Sequence, residues 1–183
     1  MKKIVGFVGS PRIGGNTEAL VEKVLTGAMA AGAETELYRL NELNIKGCQG
    51  CNHCQEHGYC CQKDDMTLLY EQLKTADGFV LGSPIYMGYF SAQTKLFLDR
   101  MYAFLKVGLS CHLPPGKRCV LVYSQGRGDN VALVENLARW FESRLGVHVK
   151  GIVGGNNMNE LGAVRQRKEL LETAYHLGKE LVV

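Results

Sequence analysis

The 183-residue chain has no apolar run approaching the roughly 20 residues that a membrane-crossing helix needs. No excess of one charge is present either: 21 Lys and Arg stand against 18 Asp and Glu, a net +3, and the two signs are interleaved. Without a basic stripe, nothing points to nucleic acid or to an anionic membrane surface. Repeats, low-complexity tracts and linkers are missing, so the length fits one domain over residues 1–183 with a full core. The basic, apolar start from Met1 to Gly9 stops at Ser10-Pro11-Arg12, with no cleavage-like segment after it. It reads as a buried first strand and not as an export signal, which places the chain in the cytoplasm. The five histidines match no triad spacing, so no side-chain nucleophile or general base is expected.

Cysteine is what the chain has in one place. Five of its seven cysteines, Cys48, Cys51, Cys54, Cys60 and Cys61, fall within fourteen residues. In a reducing compartment clustered thiols more often serve metal or redox chemistry than structural disulfides. The first four read C-x2-C-x2-C-x5-C, a spacing that lets thiolates wrap one metal centre. Cys61 duplicates Cys60 as the fourth ligand. Four thiolates on zinc, or three with His53 or His57, and a loop of bare thiols remain open beside an iron–sulfur cluster. Cys111 and Cys119 are isolated, and Cys119 reads as core.

Around this loop the chain alternates apolar runs with helical patterns. Strands are expected at 3–8, 35–40, 78–81, 118–123 and 147–153, and helices at 16–30, 66–75, 91–106, 130–145 and 160–181. The first, third and fourth runs are continuously apolar, as in a parallel sheet covered on both faces. The second alternates polar and apolar residues, as at a sheet edge. The expected fold is therefore α/β, an open doubly wound parallel sheet of five strands. Within it, 41–65 is the one long irregular segment, and it holds the cysteines. Trp140 and Phe141 share a helical face with Leu133, Leu137 and Leu145, which reads as core, and Lys95 with Asp99 reads as a surface i,i+4 ion pair.

Three loops follow strands at the same sheet end, where such sheets bind ligands. The first, Gly9-Ser10-Pro11-Arg12-Ile13-Gly14-Gly15-Asn16-Thr17, opens a helix N-terminus with its free N–H groups and partial positive charge. Ser10, Asn16 and Thr17 supply short donors and Arg12 a fork for phosphate. It is neither G-x-G-x-x-G nor G-x4-G-K-[ST], which excludes the dinucleotide and P-loop fingerprints. The second loop, residues 82–91, is apolar and aromatic and suits a flat ring; Tyr86, Tyr89 and Phe90 equally suit a subunit contact. The third, residues 124–129, is rich in glycine. Together they describe a mononucleotide pocket.

Four segments carry a resemblance to a known group: Gly-Ser-Pro-Arg-x3-Asn-Thr at 9–17, Asp-Asp-Met at 64–66, Gly-Ser-Pro-Ile-Tyr-x-Gly at 82–88 and Ser-Ala-Gln-x-Lys-x-Phe-x-Asp-Arg at 91–100. They resemble the NADPH-dependent FMN reductases of the flavodoxin-like fold. The resemblance implies strand order 2-1-3-4-5 and FMN at the carboxyl ends of the strands. It implies phosphate contacts from Ser10, Arg12, Asn16 and Thr17, and ring contacts from Pro84, Ile85, Tyr86, Met87 and Gly88, with Ser124 and Gly126 closing the site. It also implies a homodimer or homotetramer. The cysteine motif resembles that of the archaeal-type iron–sulfur flavoproteins. That likeness implies a 4Fe-4S cluster on Cys48, Cys51, Cys54 and Cys60, passing electrons to FMN. The alternatives are an NAD(P)H-dependent FMN or quinone reductase without a cluster, and a non-catalytic metal or thiol sensor. Electron donor and acceptor are small molecules or proteins, NAD(P)H among them.

Overall fold

The computed structural model describes residues 1–105 and 112–183; Cys111 and Lys106, the last residue of the helix expected at 91–106, lie outside the described residues. The elements are β1 (Lys3–Val8), α1 (Asn16–Ala30), β2 (Glu34–Arg39), α2 (His53–His57), α3 (Met66–Thr75), β3 (Gly78–Tyr86), β4 (Tyr89–Phe90), α4 (Ala92–Arg100), β5 (Arg118–Ser124), α5 (Val131–Leu145), β6 (His148–Gly155) and α6 (Lys168–Glu180). The parallel strands run in the order β2-β1-β3-β5-β6, and the two-residue β4 pairs antiparallel with β3. Counting only the parallel strands, this is the expected 2-1-3-4-5 order with a sixth, short strand added.

The period-2 alternation of a strand explains why the central runs are apolar at every position. Along β1, Val5 and Phe7 enter one core while Ile4 and Val8 enter the other. In β5, Cys119 and Leu121 face the first core and Val120 and Val122 the second. Cys119 is fully buried, as expected. The first core joins the sheet to α3, α4 and α5 through Phe7, Phe79, Phe97 and Phe141. The ring centroids of Phe7 and Phe97 lie 4.9 Å apart, and those of Phe79 and Phe141 lie 5.8 Å apart. Burying one such ring contributes about 1.5–3 kcal/mol. The second core joins the sheet to α1 and α6 through Leu20, Val24, Ala28, Ala174 and Leu181. β2 lies at the sheet edge, half-buried along its length, in keeping with its alternating sequence.

The helix expected at 91–106 ends at Arg100, where Met101–Phe104 tightens into a 3₁₀ turn, and the segment expected to be irregular at 41–65 carries the short α2. Two further elements differ from expectation. The third strand does not stop at Leu81. Ser83 and Pro84 continue the ladder against Tyr123 and Ser124, and Ile85-Tyr86 then folds back on Tyr89-Phe90 as a hairpin. Its turn has Met87 at φ 49° and Gly88 at φ 77°, the left-handed pair that a two-residue hairpin requires. A methionine there is uncommon, and its side chain is fully exposed. The last helix begins at Lys168 and not near 160, because Ala163–Gln166 forms a separate 3₁₀ turn. No helix among the described residues is long and apolar enough to cross a membrane.

Candidate active site and cysteine loop

The carboxyl ends of β1, β3, β5 and β6 meet in one cleft. Its lining includes Ser10, Arg12, Asn16, Thr17, Pro84, Ile85, Tyr86, Ser124 and Gly126. Met87 and Gly88 are not in the lining; they form the exposed tip of the neighbouring hairpin. Gln125, Met158 and Asn159 complete the cleft. The last two come from a fourth loop, after β6, that the sequence reading overlooked. Gly154-Gly155-Asn156-Asn157 was the available signal, a run of turn residues directly after an apolar strand. The enclosed part is about 70 Å³. That is far below the ~300–1,000 Å³ of a pocket enclosing a whole ligand. It fits a group of a few heavy atoms, with the rest of any ligand lying across the mouth.

The floor of the cleft is fixed by its own hydrogen bonds. Thr17 Oγ1 and Ser124 Oγ lie 2.7 Å apart and tie the start of α1 to the end of β5. Ser10 Oγ accepts the Arg12 N–H at 3.2 Å. The Asn16 amide is committed to the fourth loop: Nδ2 donates to the carbonyls of Met158 and Glu160 at 2.9 and 2.8 Å, and Oδ1 accepts from the Val164 N–H at 3.1 Å. So Asn16 offers the cleft its backbone N–H, while its side chain holds the wall. The N–H groups of Asn16, Thr17 and Glu18 open α1 and have no preceding turn to donate to. Arg12 Nη1 reaches across to the Asn159 carbonyl at 2.6 Å. Gly126 lets the exposed Asn159 side chain lie against this wall, since a Cβ there would make that side chain swing aside.

Sequence reading also passed over Glu18. It is buried in the first turn of α1, where a carboxylate complements the helix dipole. Its Oε2 accepts the Gly14 N–H at 2.7 Å, shaping the glycine turn. Its Oε1 pairs with Arg39 at the end of β2, at 2.5 Å from Nη2. The pair raises Arg39 further above its ordinary range. Arg39 thereby balances a negative charge set beside the open N-terminus of α1.

The cysteine loop is closed at its base by the two aspartates of the Asp64-Asp65-Met66 segment. Asp65 Oδ2 accepts the Asn44 N–H at 2.7 Å and Asp64 Oδ2 accepts the Lys46 N–H at 2.9 Å. Arg100, at the end of α4, locks the closure. Its Nη1 lies 2.6 Å from Asp64 Oδ2 and its Nη2 3.1 Å from Oδ1, and Nη1 also donates to the Lys46 carbonyl at 2.9 Å. Both side chains are buried, at 1% and 0% exposure. Burial pushes the Asp64 carboxyl up, but the hydrogen bonds from Arg100 and the Lys46 N–H outweigh it and leave the group below 3.8.

Above this base the thiols take different environments. Cys54 is buried in the main core, Cys60 is half-buried beside the Tyr70 hydroxyl, and Cys48, Cys51 and Cys61 are exposed. Among the described residues the one sulfur–sulfur contact is Cys51 Sγ to Cys61 Sγ at 3.7 Å. The His53 backbone N–H and then the Cys61 thiol lower Cys51 below the usual thiol range, and the same contact raises Cys61. His53 packs its ring on His57 and Tyr59, at 4.2 and 5.1 Å between centroids. No group of three or more metal-capable side chains is gathered among the described residues. The donor set suits a thiolate-held metal in its chemistry.

Beside the loop, Leu133, Leu137 and Trp140 pack against the main core as expected, but they stay half-buried. Phe141 and Leu145 are buried, while the outer sides of the other three line an open groove of about 350 Å³ with Tyr89, Phe90 and Leu98. One face of α5 is wider in apolar residues than the sheet beneath can cover. The Lys95–Asp99 pair spans 2.6 Å at the surface, as expected.

Residues 2–156 match the family described as NADPH-dependent FMN reductase. An iron-sulfur flavoprotein of Methanocaldococcus jannaschii is 33% identical, over 98% of this chain and 95% of its own length. One from Methanosarcina thermophila is 28% identical, over 85% of this chain and 78% of its own. Among solved structures, an NAD(P)H:quinone oxidoreductase from Methanothermobacter marburgensis superposes with a TM-score of 0.70 at 20% identity, covering 99% of this chain and 98% of that one.

The Asp64–Arg100 pair generates a pH-dependent prediction. Asp64 has a depressed folded pKa, so its contribution is full above the unfolded value near 4 and is lost as pH falls through the lower folded one. Asp64→Asn leaves Arg100 as a buried charge without its counterion and should cost about 3–5 kcal/mol at pH 7. Urea unfolding of both proteins should show that gap closing below about pH 4. Equal stability at neutral pH, or a gap that persists in acid, would contradict the assignment.

Proposed function

The chain belongs to the NADPH-dependent FMN reductase family and is a flavin-dependent oxidoreductase, and from that premise we propose that FMN binds across the four-loop cleft. The observation that carries this reading is the meeting of three chemically distinct walls at one sheet end. Ser10, Arg12, Thr17 and the opening N–H groups of α1 form a phosphate-sized pit. Pro84, Ile85 and Tyr86 form an apolar shelf beside it, and Ser124 to Gly126 form the far wall. Met87 and Gly88 then serve through the hairpin turn that positions the shelf. Bound FMN would supply exchange of electrons in ones and pairs, so the protein needs no nucleophile of its own. The chain's part is to hold the phosphate, to orient the ring at the hairpin and to leave one side open to NAD(P)H or another partner.

The phosphate assignment is tested by comparing FMN with riboflavin, which lacks the phosphate. Arg12→Ala should weaken FMN binding by about 1–3 kcal/mol, as for a lost hydrogen bond to a charged group, and leave riboflavin binding unchanged. If the variant keeps the full preference for FMN, the phosphate does not lie on Arg12.

We propose further that Cys48, Cys51, Cys54 and Cys60 hold a 4Fe-4S cluster. Supporting this are the five closely spaced thiols and the likeness to the iron-sulfur flavoproteins of two archaea. The cluster would supply one-electron steps beside the flavin. Asp64, Asp65 and Arg100 would fix the loop's ends while its thiols are drawn together on metal binding. A second reading, a flavin reductase without a cluster, is favoured by the scattered placement of the thiols among the described residues. A non-catalytic sensor has no support from the family. Anaerobic reconstitution with iron and sulfide separates the first two. The cluster reading expects about four irons per chain, broad absorbance in the visible and loss of both in Cys51→Ser. Absence of iron uptake, or one zinc in its place, leaves the plain reductase.

A further inference from the structure

The fifth cysteine has no part in a four-thiolate site, yet it is the one that touches another thiol. Cys61 Sγ lies 3.7 Å from Cys51 Sγ. Its neighbour Cys60 is turned inward, packed against the main core beside Tyr70. The doublet thus sends one thiol to each side of the chain. Cys51 and Cys61 are both exposed, so a solvent-borne reagent reaches either sulfur. Cys54, a competing partner for Cys51, is buried. Cys48, the other candidate, is exposed, but the sulfur–sulfur contact of Cys51 among the described residues is with Cys61. A disulfide requires sulfurs at about 2.05 Å, so the pair must close by less than the width of one atom. Left-handed residues at Gly50 (φ 61°), Asn52 (φ 57°) and Gly58 (φ 77°) flank Cys51 and bend the chain between it and Cys61.

We propose that Cys51 and Cys61 form a reversible disulfide, a thiol–disulfide exchange site that is separate from the flavin cleft and that opens or closes the loop to metal. The oxidant is a low-molecular-weight disulfide. The Cys51 thiolate attacks one of its sulfurs, a mixed disulfide forms and one small thiolate leaves. Cys61 gives its proton to solvent and attacks the Cys51 sulfur, forming the internal bond and expelling the second small thiolate. Two protein thiols are oxidised and one small disulfide is reduced to two thiols, which take up the released protons. The reverse exchange with excess small dithiol restores the loop. Cys51 is also a proposed cluster ligand, so the oxidised form holds one thiolate too few for the metal. The exchange itself stands without the cluster; only this consequence rests on that reading.

The full-length protein, reduced and freed of metal, is incubated with oxidised glutathione, quenched by alkylation and weighed intact. The wild type and Cys60→Ser should each lose two hydrogen atoms and carry two fewer alkyl groups. Cys61→Ser should stop at the mixed disulfide, one glutathione heavier. Cleavage after Glu56 separates the two halves of the loop, so the oxidised wild type should yield them joined until reductant is added. An internal disulfide in Cys61→Ser at the wild-type rate, or halves that are never joined, would overturn the proposal. Iron and sulfide offered to the oxidised wild type should give no uptake until dithiothreitol is added. Uptake undiminished by the disulfide would overturn the gating. Failure of the reduced protein to take up iron would sink the cluster reading and leave the mass-spectrometric result intact.

Discussion

A parallel sheet covered by helices on both faces leaves only its ends for chemistry. Here the cover is complete: Phe7, Phe79 and Leu81 are sealed on one side, and Ile4, Val80 and Val122 on the other. The five long strands, β1, β2, β3, β5 and β6, all point the same way, so the loops that leave their carboxyl ends are gathered without further instruction. That constraint brings residues 10–17, 84–86, 124–126 and 158–159 to one place from four distant parts of the chain. The helix that starts there faces the cleft with free N–H groups. The Glu18–Arg39 pair braces its first turn without adding net charge.

The cysteine loop solves a different problem. A segment of this length has too few apolar residues to pack itself, and its ends must be held if its middle is to do anything specific. Buried charge does the holding. Asp64 and Asp65 take up backbone donors at the loop's start, and Arg100 neutralises Asp64 inside the protein. Removing water from that pair makes it costly to break, which is the useful property here. The same α4 that ends in Arg100 begins at Ser91, whose hydroxyl accepts the Thr94 N–H and donates to the Gly9 carbonyl beside the cleft. One helix thus ties the base of the thiol loop to the floor of the four-loop cleft.

Much of this was legible in the sequence because it follows from local pattern. Strands buried on both faces read as apolar runs, an edge strand reads as alternation, and a glycine-rich turn before a helix reads as an anion cradle. The Asn16, Thr17 and Ser124 positions were legible as cleft residues for that reason. What escaped was set by distance in space. The fate of the Asn16 amide depends on carbonyls at Met158 and Glu160, far away in the chain. Arg100 reads as an ordinary cation closing a helix, and nothing local marks it as the buried partner of Asp64. The hairpin at 85–90 was hidden because Met87 occupies a left-handed position that sequence usually marks with Asn or Gly. Trp140 packs on the core as its periodicity implies, but periodicity tells which residues share a face and not that the outer side of this one lines a groove.

The central claim is that four loops at the carboxyl ends of the sheet hold FMN. Hydrogen–deuterium exchange of the flavin-loaded protein against the stripped protein tests it most directly. The account predicts slowed exchange at the backbone amides of 12–18, 85–88, 125–126 and 157–159, with α6 and the edge strand β2 unchanged. Protection centred on the α4–α5 groove or the cysteine loop, with none at 12–18, would contradict it.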